Sequence, residues 1–94
     1  MNIDQLNFVC RQSTRSAFEE FKRQIEDALF PFDEDLKTTL QMQMLEQMRQ
    51  GVVKTIFKEN TLLKGDCRVL MHTLNQYGDL VFKVSNNYSK KYLI

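Results

Sequence analysis

Two cysteines, one proline, three glycines and one histidine are all that this 94-residue chain has of the residues that usually punctuate or arm a small protein. Cys10 and Cys67 are too few for a disulfide framework or a thiolate metal cluster. A reducing interior, the cytoplasm, is therefore the expected compartment, with both cysteines as free thiols. Neither sign of charge dominates: thirteen Lys or Arg against twelve Asp or Glu leave +1, so no global field points to DNA or acidic lipid. No apolar run approaches the roughly 20 residues that span a bilayer. The opening MNIDQLNF lacks the basic and apolar regions of a secretory signal, and no membrane partner is expected. There is also no internal repeat, linker or low-complexity tract.

What is present is ordinary for a globular chain: 43% hydrophobic and 27% charged residues, well away from the composition of disordered segments. The length allows one domain over 1–94 with one modest core. Composition changes near Asn60. Residues 1–59 are rich in Gln, Glu, Leu and Met, whereas residues 60–94 hold the turn-prone pairs and all three tyrosines.

The first part carries a helical period. Ile3, Leu6, Cys10, Ala17, Phe18, Phe21, Ile25, Ala28 and Leu29 share one stripe at 100° per residue, with Arg11, Arg15, Glu19, Arg23 and Asp27 off it. Asp4 is the expected cap of a helix starting at Gln5. Ser13 and Thr14 interrupt the stripe, and Ser16 with Glu19 has capping-box spacing, so a break there competes with one continuous helix. Phe30-Pro31-Phe32 ends the element. Asp33 is the expected cap of a second helix from Glu34 to Glu59, its acidic start suiting the positive helix end. Leu40, Met44, Leu45, Met48, Val52 and Ile56 form its apolar arc, and Val53 and Phe57 widen it. Met42 projects away. Gly51 in the interior implies either a close helix crossing or a kink.

After Asn60 the period reads differently. Lys64 to Asp66, Tyr77-Gly78-Asp79 and Asn86-Asn87 have turn signatures. Cys67 to Leu74 is β-branched and mixed. Leu80, Phe82 and Val84 alternate against Val81, Lys83 and Ser85 with the period of a half-buried strand. Tyr88, Lys90, Tyr92 and Ile94 repeat that alternation. The fold class predicted is α+β: two long antiparallel helices (a helical hairpin over about 4–59) followed by a small antiparallel β-hairpin or three-stranded sheet (about 64–94). A helical hairpin leaves flanks uncovered, and a homodimer through the helices, with Met44, Met48, Val52 and Ile56 at its core, buries them. A compact monomer with the sheet folded over the helices is the competing arrangement.

Chemistry is thin. The one histidine, His72, falls on a predicted strand, where five positions hold it roughly 17 Å from Cys67, so no Cys–His pair is expected. Asp33, Glu34 and Asp35 diverge around a helix axis and lack the alternating ligands of a calcium loop. Lys64-Gly65-Asp66 has no phosphate-loop context. No catalytic residue, metal or cofactor is assigned. The reading that remains is a small non-enzymatic adaptor or regulator that binds an unidentified protein partner. Its expected binding surface is Lys83, Tyr88, Lys90, Lys91, Tyr92 and Ile94, which combine aromatic faces with edge-guarding lysines. Because the same residue types stack on bases and neutralise phosphates, nucleic-acid binding is the alternative.

Overall fold

Asn2 opens the first helix, α1 (Ile3–Glu26). Its Oδ1 accepts the Asp4 N–H at 2.7 Å, while its own N–H donates to Gln5 Oε1 at 3.4 Å, a reciprocal cap. The cap is thus two residues earlier than the expected Asp4, which lies in the first turn where its charge suits the helix end. The computed structural model describes residues 2–59 and 67–94. α1 runs unbroken through Ser13 and Thr14 and stops at Glu26, so Ala28 and Leu29 do not continue the buried stripe; Leu29 is 93% exposed.

The second helix, α2 (Glu34–Glu59), has the predicted boundaries. Asp33 Oδ1 accepts the Leu36 N–H at 2.8 Å, a cap worth about 1 kcal/mol. Gly51 is a close crossing and not a break, since α2 continues through it with Ser13 of α1 directly opposite.

The largest correction lies after Asn60. The predicted turn at Lys64–Asp66 is outside the described residues. Residues predicted to form strands instead form a third helix, α3 (Cys67–Ser89), which passes straight through Tyr77-Gly78-Asp79 and Asn86-Asn87. Among the described residues there is no strand, and the α+β architecture gives way to an all-α three-helix bundle. The alternation was misleading in a specific way. Leu80, Phe82 and Val84 are 54%, 40% and 38% exposed, whereas Val81 and Ser85 are buried. The inward stripe of α3 is Leu70, Leu74, Gly78, Val81, Ser85 and Ser89, at helical spacing. Three of those six are Gly or Ser, so the buried face carries little hydrophobicity and the true period is faint. The Tyr88–Ile94 segment is not a strand either: Tyr88 and Ser89 are the last residues of α3, a turn follows, and the Ile94 N–H donates to Phe32 O at 3.2 Å.

The helices run up, down and up. Tyr77 reaches Asn7 and Tyr88 reaches Glu26, so α1 and α3 are parallel. α2 returns between them, with Gln41 beside Ser85 and, further along α2, Val52 and Ile56 among Leu70 and Leu74. One core cluster gathers Ala17, Phe21, Ile25, Phe32, Leu40, Met44, Met48 and Val81. The other holds Leu6, Cys10, Val52, Ile56, Leu70 and Leu74, with Tyr77 packed against both. Each large buried side chain contributes roughly 1.5–3 kcal/mol. Met44, Met48, Val52 and Ile56, expected at a dimer core, are at most 2% exposed within one chain. The third helix occupies the flank that the helical hairpin left open, so a second copy would have to use other surface. Phe57, expected to deepen the arc, faces outward.

Candidate interaction surfaces

Three of the residues assigned to partner binding come together. Tyr88 is half-buried at the end of α3, and Lys91 and Tyr92 lie in the turn that follows. Lys91 Nζ stands 4.6 Å from the Tyr88 ring centroid and 5.3 Å from that of Tyr92. From α1, Lys22 Nζ covers the Phe18 ring at 5.1 Å and the Tyr88 ring at 5.8 Å. Phe18 meets Tyr88 edge to face, the orientation that the ring quadrupoles favour. The Tyr88 hydroxyl donates to Glu26 Oε1 at 2.7 Å and shares a 3.3 Å hydrogen bond with the Tyr92 hydroxyl. These bonds to Tyr92 and Glu26, followed by burial, raise the Tyr88 pKa above its ordinary value of 10.0. The cluster fastens the C-terminal end of the chain to α1, and its aromatic faces are already occupied by lysines. Lys83 is exposed on the outer side of α3, Lys90 is exposed in the turn, and Ile94 is exposed while its backbone bonds to Phe32. These three stand apart from the aromatic cluster.

A second polar arrangement had no signal in the sequence. Gln41 is buried between α2 and α3, and its Nε2 donates to Ser85 Oγ and to Asn86 Oδ1, each at 2.9 Å. The Ser85 hydroxyl in turn donates a hydrogen bond to Phe82 O at 2.8 Å. Buried amides need such partners, and the set fixes the register of α3 on α2.

The outer faces carry apolar side chains in two stripes on α3. Val69, Leu80 and Val84 follow the edge away from α2. On the other edge Phe82 joins Leu45, Arg49, Asn75, Gly78 and Asp79 in a groove between α2 and α3, with Met71 and Met42 exposed in line with it. Sequence periodicity at a strand's spacing hid both stripes; helical spacing over 67–89 reveals them.

Cys10 is buried, which pushes its thiol pKa up, and Cys67 is exposed at the start of α3; both are free. His72 is exposed on the outer side of α3. Among the described residues no group of three or more His, Cys, Asp or Glu side chains is placed to hold a metal ion, and no helix is long and apolar enough to cross a membrane. The fold and its surfaces thus define the chain as an up-down-up three-helix bundle with apolar outer stripes. No family model matches it, and neither a curated protein nor a solved structure shows a significant match.

Proposed function

We propose that this chain is a non-enzymatic adaptor or regulator of the cytoplasm, which docks a protein partner on the outer face of α3. The observation that carries this reading is the exposed edge of Val69, Leu80 and Val84 on a helix whose opposite face is fully packed. A helix held on a rigid bundle presents such side chains with little ordering cost on binding. Arg11 and Arg15, both exposed, follow Asn7 at helical spacing along the α1 side of the same seam, and exposed Lys83 lies beyond it. The fitting partner therefore offers an apolar ridge with acidic flanks. The two free thiols accord with a reducing compartment.

Capture from cell extract, with the wild-type chain beside Leu80→Asp, tests the reading. A discrete protein retained by the wild type and lost from an equally helical Leu80→Asp supports docking on this edge. Equal recovery by both rejects it. Nucleic-acid binding draws support from exposed Lys83 and Lys90, but Lys22 and Lys91 already lie over the rings that bases would stack on. Retention on mixed DNA and RNA that falls steeply with salt would favour it instead.

A further inference from the structure

The groove between α2 and α3 has a feature that a single chain leaves unused: its two walls carry opposite charges. Arg49 stands on the α2 wall and Asp79 on the α3 wall. Both are exposed, and among the described residues neither takes part in an ion pair.

Around them the apolar residues are arranged in a way that a two-fold rotation preserves. On α2, Met42, Leu45, Arg49 and Val53 follow one another at spacings of three, four and four, one stripe of a helix. On α3 the corresponding stripe is Met71, Asn75, Gly78 with Asp79, and Phe82. Because α2 and α3 are antiparallel, Met42 and Leu45 lie beside Phe82 at one end of the face. Val53 lies beside Met71 at the other end. The charges and Asn75 occupy the middle. Gly78, with no side chain, leaves the depression at the centre open.

We propose that a second copy of this chain docks on this face, with α2 of each protomer over the partner's α3, so that Arg49 of each protomer pairs with the partner's Asp79. The pairing rests on the interaction-module reading and names one partner and the surface it uses. A two-fold axis along the groove lays Met42 and Leu45 of one protomer over the partner's Phe82, and Val53 over the partner's Met71. The same rotation forms the Arg49–Asp79 contact twice. Isologous contacts require this kind of self-complementary patch, and here the chain supplies both halves of it. The long side of the bundle, about 46 by 20 Å, is large enough for the roughly 800 Å² per partner of a standard interface.

Charge exchange tests the pairing. Arg49→Asp places two acidic pairs across the interface and Asp79→Arg places two basic pairs. Each single variant should therefore sediment at the 11.2 kDa of one chain, while the wild type sediments at twice that mass. An equimolar mixture of the two variants restores both opposite-charge contacts and should return to the doubled mass, as should the double variant. Met71→Asp, on the same face but away from the charges, should also give single chains, and circular dichroism verifies that every variant remains helical. A wild type that stays at one chain mass through the micromolar range overturns the proposal. So do single charge variants that keep the doubled mass, or a mixture that fails to recover it. The outcomes separate from those of the adaptor reading. A wild-type monomer that still captures a partner lost with Leu80→Asp overturns the dimer alone, and a dimer that captures nothing overturns the adaptor alone.

Discussion

Gly51 lies against Ser13 so closely that a Cβ added at position 51 would meet Ser13 Oγ at 2.9 Å and its Cβ at 3.5 Å. The first distance is too short and the second is ordinary contact. Alanine in a helix interior is otherwise favoured over glycine by about 0.5–1 kcal/mol. Gly51→Ala alone should therefore change stability little, because the hydroxyl must turn away. In a Ser13→Ala background the same substitution should stabilise by about 1 kcal/mol. Urea midpoints of the four members of this cycle measure the coupling, and strict additivity would contradict the close crossing.

Gly78 makes the contrasting case. A Cβ there would meet only Leu45 Cδ2 at 3.6 Å and Met48 Cε at 3.8 Å, both ordinary contacts. Gly78→Ala should stabilise the bundle by about 0.5–1 kcal/mol, read as a higher thermal midpoint at fixed protein concentration. A loss would mean that α3 sits closer to α2 than described.

The buried amide of Gln41 holds Ser85 and Asn86 together. Gln41→Ala removes those bonds and leaves a gap, at a cost of about 2 kcal/mol. Gln41→Leu combined with Ser85→Ala exchanges the polar pair for apolar filling and should recover most of that loss. Hydrogen exchange across residues 81–89 follows the register, and it should be faster in the alanine variant than in the double variant.

Tyr88 predicts a dependence on high pH. Its hydroxyl is bonded to Tyr92 and Glu26, and its pKa in the fold lies above the ordinary 10.0. The fold favours the neutral phenol, so its contribution is complete below about pH 10 and is lost as the pH rises through the folded value. A titration of tyrosinate absorbance should show a late component that disappears in Tyr88→Phe. Undocking of the C-terminal turn should follow the same late step.

The legibility of the fold in the sequence followed the chemistry of each buried face. α2 was legible because Leu, Met, Val and Ile fill its inward positions and Asp33 marks its start. α1 was legible as a stripe, but the helix starts two residues before the expected Gln5, and Asn2 caps it by accepting the N–H of Asp4. α3 was misread because Gly78, Ser85 and Ser89 face inward while Leu80, Phe82 and Val84 face out. Hydrophobicity there records the outer surface, and only close packing, which no residue-by-residue scale registers, identifies the inner one. Of the expected partner surface, Tyr88, Lys91 and Tyr92 cluster through their own spacing of three and four residues, and α1 brings Phe18 and Lys22 against them. That proximity depends on the parallel packing of α1 and α3, which local spacing does not encode.

The odd number of helices has a mechanical consequence. With α1 and α3 parallel, Asn2 and Ile94 emerge at opposite poles of a rod about 46 Å long. Tension applied between those poles slides α1 along α3 lengthwise, loading their shared seam in shear along its whole length. Helices pulled from one pole would instead peel apart a turn at a time. The Ile94 N–H bond to Phe32 O and the Lys91–Tyr88–Glu26 cluster stand at the loaded end of α3, so they would carry strain before the apolar seams begin to slip.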